Sequence, residues 1–179
     1  MAPRIRLAET EDAAALSALG RATFTGAFGF LYKPEDLSLF FDKNHSVDVY
    51  AQRLSDPAHR VWVLEGDEKT LLGYASVGPC GLPVPNMPER AGELERFYIR
   101  HGHQGGGYGG RMLELALAWL DKQYEYTYLS VFYANHGAQR LYKRFGFRII
   151  HEYRYKVGNQ ADPEYIMERV RPDSAPDEH

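Results

Sequence analysis

The chain has 179 residues, 44% of them hydrophobic and 25% charged, with a formal net charge of −3, a profile that suits one folded domain of ordinary size and excludes a disordered chain. So mild a charge, with no cluster of Lys and Arg, argues against a nucleic-acid partner; the single cysteine, Cys80, excludes an intrachain disulfide or a multi-cysteine zinc site. No apolar run is long enough to span a bilayer, and the segment Met1-Ala2-Pro3-Arg4-Ile5-Arg6 has no apolar signal core, so a cytoplasmic location away from membranes is expected.

In chain order, residues 4–7 read as a short edge strand. Thr10 reads as the N-cap of a helix that carries Glu11 and Asp12 in its first turn and runs to about Phe24. The aromatic and glycine-rich segment 24–32 follows; it is either a substrate-pocket wall or a helix end packed on the core. Pro34 opens a short helix, and Ser46 caps another over 47–54. Strands over 61–65 and 71–77 form a hairpin across the turn Gly66-Asp67-Glu68-Lys69. The stretch 78–88 holds four prolines and is expected to be a loop. A strand over 93–99 comes next, then a strong helix over 111–120, a strand over 126–131 and a helix over 135–145 ended by Gly146. Strands over 147–157 and 165–170 close the sequence. This order predicts a mixed α/β sheet with helices on both faces. One domain is expected over 1–171, with a flexible tail over 172–179.

The most informative stretch lies just before the strong helix. It is Gln104-Gly105-Gly106-Gly107-Tyr108-Gly109-Gly110. No side chain there can act as a nucleophile, acid or metal ligand. What it offers is backbone N–H groups at a helix N-terminus, where unpaired donors and the helix dipole attract phosphate. Gly105, Gly107 and Gly110 match G-x-G-x-x-G, but residues 100–104 separate them from the preceding strand, and no acid closes the next one. The Walker pattern fits less well, because Arg111-Met112 stands where Lys-Ser/Thr belongs.

A third pattern, Gln/Arg-x-x-Gly-x-Gly/Ala, fits 104–109 and gains weight from its surroundings. It follows Glu93-Leu94-Glu95-Arg96-Phe97-Tyr98-Ile99 and precedes Asn135-His136-Gly137-Ala138-Gln139-Arg140-Leu141-Tyr142-Lys143-Arg144-Phe145-Gly146-Phe147. In this, residues 4–170 resemble the GCN5-related N-acetyltransferase (GNAT) superfamily, with 93–147 the specific part. Thr23-Phe24, residues 32–37, Gly73-Tyr74-Ala75 and Gly78-Pro79-Cys80 are similar to its PaiA-like subgroup, some members of which acetylate polyamines.

The resemblance implies a mostly antiparallel sheet in which two central parallel strands, 93–99 and 126–131, splay around acetyl-CoA. It implies that Phe97, Tyr98 and Ile99 offer backbone to the pantetheine arm. Gln104, Gly105, Gly106, Gly107, Tyr108, Gly109 and Gly110 would hold the pyrophosphate, and Asn135 would bond the arm. Arg144, Lys143 or Arg111 would meet the ribose phosphate; each of these could equally be a solvated helix residue. Tyr142 is the expected acid for the departing thiolate. Glu93, Glu95 or water is the expected base. The two glutamates lie two apart and share a strand face unless a bulge intervenes, and either could instead pair with a neighbouring cation. Tyr98 or Ile99 N–H would hold the oxyanion.

The implied reaction is acetyl transfer from acetyl-CoA to a small amine, with Asp36, Asp42, Glu93 and Glu95 available to a cationic acceptor such as a polyamine. The alternatives are a peptide or protein amine as acceptor, or a non-catalytic acyl-CoA-binding domain; Tyr142 and the strand glutamates favour an enzyme. His101-Gly102-His103 lacks a further ligand at convincing spacing, so no metal is expected, and Cys80 has no base near it in sequence. Dimers are common in the family, so a homodimer is open.

Overall fold

A computed structural model describes residues 1–172; the expected tail lies outside the described residues apart from Pro172. Seven strands form one sheet: β1 (Arg4–Leu7), β2 (Arg60–Glu65), β3 (Leu71–Pro79), β4 (Ala91–Ile99), β5 (Tyr126–Phe132), β6 (Arg148–Val157) and β7 (Gln160–Val170). The order across it is β1-β2-β3-β4-β5-β7-β6. Five α-helices cover it: α1 (Ala13–Phe28), α2 (Pro34–Asn44), α3 (Val47–Ser55), α4 (Tyr108–Gln123) and α5 (His136–Arg144). Among the described residues no helix is long and apolar enough to cross a membrane.

The helices divide between the faces because their apolar stripes do. On α4, Met112, Leu113, Ala116, Leu117 and Leu120 are buried at helical spacing. They pack with Tyr142 of α5 against Leu94, Ile99, Leu129, Val131 and Met167 of the sheet. On the opposite face, Ala13, Leu16 and Leu19 of α1 and Tyr50 of α3 enclose Val61, Val63 and Tyr74.

Several expected boundaries move, each for a local reason. Thr10 is not the cap: Asp12 turns back to accept from the Glu9 N–H at 2.7 Å, so a short 3-10 turn precedes α1. Helix α1 runs past Phe24 to Phe28, where the two rings, one turn apart, meet at 5.2 Å with planes tilted by 52° and hold the last turn. Ser46 does cap α3, accepting from Val49 N–H at 3.2 Å. Strand β3 reaches Pro79, the first two residues of the expected loop, since Gly78 and Pro79 lie opposite Glu93 and Gly92.

The relationship that positions the site is between β4 and β5. They are parallel and joined through α4, the kind of connection that parallel neighbours require. They share only three rungs: Ala91 with Tyr126, Gly92 with Thr127, and Glu93 with Tyr128. Beyond these, β4 continues on β3 as far as Ile99 opposite Gly73, and β5 continues on β7 as far as Phe132 opposite Glu164. The sheet therefore splits into two arms after Glu93.

Candidate active site

The glycine turn closes one side of the split. Gly105 and Gly107 have φ of 86° and 80°, in the left-handed region open to glycine at little cost. Gly107 is the N-cap of α4. Residues 104–105 form a turn that draws the Gly106 N–H toward His103, while the N–H groups of Gln104, Gly105, Gly107, Tyr108, Gly109 and Gly110 find no backbone acceptor among the described residues; the first helical donor is Arg111, to Gly107 O at 3.1 Å. Nothing lies within 4 Å of where a Cβ would stand on Gly105, Gly107 or Gly110. Gly109, by contrast, sits against Phe97 and Ile99 of β4, where a Cβ would be 3.5 Å from the Phe97 ring. The turn is thus a concave row of unpaired donors docked on the strand that opens the split. It fits a diphosphate, which needs such donors and no intervening side chain. A groove of about 500 Å³ runs along its outer side, between His103, Gln104 and Tyr108 and the β2–β3 turn at Gly66, Asp67 and Thr70.

Two expected residues are partly committed elsewhere. The Gln104 amide donates to Ile99 O at 2.8 Å, so its side chain braces β4 and uses the Ile99 carbonyl expected for the pantetheine arm. Asn135 is the N-cap of α5 and not its first residue: its carbonyl oxygen accepts from Ala138 N–H at 3.2 Å, which leaves its NH₂ for a ligand. Lys143, Arg144 and Arg111 are exposed. Arg111 lies over the Tyr108 ring at 4.8 Å.

A bulge lies on β4, but it does not part the two glutamates. Ser76 pairs with Arg96 and Val77 with Leu94, which leaves Glu95 as the extra residue. Leu94, Phe97 and Ile99 face α4, while Arg96 lies over the Tyr50 ring of α3 at 5.1 Å. Glu93, Glu95 and Arg96 therefore all face the side of α1 to α3. The two glutamates differ in company. Glu95 is held by Arg53 of α3 at 2.8 Å, with His59 Nε2 at 3.6 Å. Glu93 has no ion pair among the described residues and accepts only from Gly81 N–H at 2.9 Å. Burial, offset in part by that hydrogen bond, pushes the Glu93 carboxyl up to about 7. The Cys80 thiol nearby is pushed up to about 11 by burial, which makes it a poor nucleophile.

Tyr142 stands on the other face, 6.4 Å from Phe97 and 6.0 Å from Phe147 between ring centroids. Burial alone raises its pKa, so the phenol is neutral throughout the physiological range. The carboxylate and the phenol thus flank the split from opposite faces. Asp36 does not join the site; it is buried and accepts from Asn159 N–H at 2.9 Å, pinning the β6–β7 turn. Asp42 is exposed on α2. His101 and His103 lie on the turn after β4, and no three metal-binding side chains gather among the described residues.

The geometry also brings in residues that sequence reasoning passed over. Glu164 of β7, Ser130 of β5 and Tyr153 of β6 form one hydrogen-bonded group on the Glu93 side: Ser130 Oγ donates to Glu164 and lies 2.7 Å from Tyr153 Oη. Phe28 meets Phe132 at 5.2 Å, and Phe40 meets Tyr155 at 6.0 Å, so the aromatic segment covers the second arm. Its Phe24–Phe28 end is a helix end packed on the sheet, one of the two readings its sequence allowed.

A model of the acetyltransferase (GNAT) family matches residues 24–147. The chain belongs to the GNAT family. It is an acyl-CoA-dependent N-acetyltransferase, which sets aside a purely binding role. Over 159 residues it is 28% identical to an uncharacterized N-acetyltransferase of Mycobacterium tuberculosis, covering 88% of this chain and 97% of the other. It is 39% identical over 88 residues to the spermine/spermidine N(1)-acetyltransferase of Bacillus subtilis, covering 47% of this chain and 55% of that one. The crystal structure of the PaiA N-acetyltransferase from Thermoplasma acidophilum in complex with coenzyme A superposes with a TM-score of 0.72, at 19% identity, over 95% of this chain and 99% of the other. The fold expected of a GNAT enzyme, with its splayed parallel pair, is the fold observed.

Proposed function

We propose that this GNAT enzyme transfers the acetyl group of acetyl-CoA directly to the primary amine of a small, polyamine-like molecule in the cytoplasm. The observation that carries the reading is Glu93. It is a half-buried carboxylate without an ion pair among the described residues, at the last rung before the sheet divides, its pKa raised toward the pH at which a general base works best. The spermine/spermidine enzyme of B. subtilis and the CoA-bound PaiA structure support the choice of acceptor and donor.

Residues 104–110 would hold the pyrophosphate by main-chain N–H groups, and the backbone of Phe97, Tyr98 and Ile99 the pantetheine arm. Asn135 NH₂ would bond that arm, with Arg144, Lys143 or Arg111 on the ribose phosphate. Acetyl-CoA supplies a thioester carbonyl and a thiolate leaving group. Glu93 takes the proton of the amine, directly or through water. Glu95, tied to Arg53, holds the bulge and adds negative charge that favours an ammonium nearby. A β4 N–H at Tyr98 or Ile99 stabilises the oxyanion. Tyr142, neutral in its apolar packing, donates its proton or a hydrogen bond toward the departing sulfur.

A thiol-release assay with acetyl-CoA against spermidine, simple mono-amines and a peptide N-terminus tests this. Turnover on spermidine is expected. Turnover on the peptide alone would overturn the choice of acceptor.

A further inference from the structure

The mechanism above leaves a half-buried carboxylate on the acceptor side, Glu164, without a task. Glu164 lies opposite Phe132 at the far end of the β5–β7 ladder. Ser130 donates to it, and no cation pairs with it among the described residues. Several enclosed carboxylates do have such a partner: Glu65 has Arg4 and Arg6, Glu95 has Arg53, and Asp121 has Arg169, whereas Asp36 is satisfied by the Asn159 N–H. An enclosed carboxylate without a counter-ion is unfavourable, and burial accordingly raises Glu164 to about 7.

Glu93 and Glu164 are the two ends of one surface. Along β5 the rungs that carry them, Tyr128 and Phe132, are four residues apart, or roughly 13 Å of strand. Alongside Glu164 stands the Tyr153–Tyr155 pair of β6, with centroids 6.5 Å apart and rings at 89°; the Tyr153 hydroxyl reaches past β7 to Ser130 of β5 at 2.7 Å. Both tyrosines feel the charges of Glu93 and Glu164. Asp162 stands next to Glu164 and bonds Tyr32. Arg53 and Arg96 act on Glu93, and Arg53 and His59 meet Glu95, but only burial, Ser130 and Asp162 bear on Glu164. The surface is also incomplete as it stands. Arg96, whose charge acts on Glu93 and Tyr155, has its Nη1 buried without an acceptor, a donor that a water or the lone pair of a deprotonated amine, not an ammonium, would complete.

We propose that Glu164 is the specificity-determining carboxylate of the acceptor site, seating the distal ammonium of a linear di- or polyamine while Glu93 receives the reacting amine. The inference rests on the amine-acetylating function proposed above. A surface with tyrosines alongside and an anionic seat at each end suits a methylene chain with a cation at each end, through apolar contact along the chain and cation–π attraction at its ends. A mono-amine of equal length would leave Glu164 uncompensated.

The test compares 1,8-diaminooctane with octylamine on the wild type and on Glu164→Gln, which keeps the side chain's shape and its bond from Ser130. The wild type is expected to show a KM for the diamine at least about tenfold below that for octylamine. E164Q is expected to raise the diamine KM to the octylamine level, leaving octylamine KM and both kcat values within about twofold. Equal KM values in the wild type, or equal losses on both amines in the variant, would overturn the proposal. Calorimetry with the same amines separates it from the reaction itself. Diamine binding weakened by E164Q without thiol release on either amine would keep the seat and refute the acetylation; no diamine binding would refute the seat. Should E164Q fail to fold, Ser130→Ala releases the carboxylate from its hydrogen bond. A rise in diamine KM alone is then expected, and an unchanged preference would overturn the proposal.

Discussion

Glu93 stands opposite Tyr128 on the last rung of the parallel β4–β5 ladder, so the carboxylate and the opening of the sheet occupy the same place. Its ordinary value of 4.5 is raised to about 7 chiefly by burial. Below that pH it holds a proton and cannot accept another. The kcat/KM profile of the wild type is therefore expected to climb through a limb centred near pH 7. In Glu93→Gln the limb disappears and kcat falls by roughly 10²-fold or more. In Glu95→Gln, where the lost group is the Arg53 partner, the limb stays. A limb that survived in E93Q would assign the base elsewhere.

Tyr142→Phe should separate chemistry from packing. The ring stays between Phe97 and Phe147, and the phenol makes no hydrogen bond that contributes to its pKa, so little stability is at stake. Expected are a kcat roughly 10- to 100-fold lower, acetyl-CoA affinity by calorimetry within about twofold, and a melting temperature within about 2 °C. An unchanged kcat would remove Tyr142 from the acid role.

Gly107→Val probes the turn. At φ of 80° a β-branched residue is strained, though no neighbour would collide with it. The cost is about 1–2 kcal/mol or somewhat more, which lowers the melting temperature by roughly 2–8 °C. Acetyl-CoA binding is expected to be lost in a protein that still folds, since the branched side chain and a relaxed backbone disturb the row of donors. Normal affinity in calorimetry would refute the cradle.

How acid affects stability hinges on His45. It is buried against Tyr50, its Nδ1 at 2.9 Å from the hydroxyl, and burial, with Arg96, Arg53 and Arg21 nearby, lowers its pKa from 6.5 to about 3. Between those values the unfolded chain binds a proton that the folded chain refuses. Stability from this source is complete above pH 6.5 and drains away as pH falls toward 3, by an amount on the order of a few kcal/mol. Glu93 and Glu164, raised to about 7, act in the opposite sense: their contribution is full below 4.5 and lost as pH rises through 7. His45→Gln is expected to flatten the acid limb of melting temperature against pH; an unchanged limb would place acid sensitivity elsewhere.

Much of this was legible in the residues because it rests on local rules. The α4 stripe, the Ser46 cap and the glycines before a helix announce themselves in a few consecutive positions. The Glu93-to-Phe147 signature located the split. What stayed hidden depends on pairing across distance. Glu95 reads as the twin of Glu93 until the helix that brings Arg53 is known. Asp36 reads as a free acid until the β6–β7 turn arrives 123 residues later to bond it. Glu164 lay one residue outside the strand expected from Tyr165. Its alternation with Ile166 and Glu168 was a signal that an acid pointed inward, and Tyr128, which donates to Glu168, confirms the facing.

The C-terminal hairpin has a practical meaning. The family match ends at 147, yet Tyr153, Tyr155 and Glu164 all belong to β6 and β7, which lie beyond it. On the proposals above, the reacting end of the acceptor meets Glu93 inside the matched stretch, while the residues proposed to seat its far end lie beyond it. Transplanting 148–170 between relatives should retarget the enzyme while sparing its donor, which makes this hairpin the natural unit for engineering new selectivity.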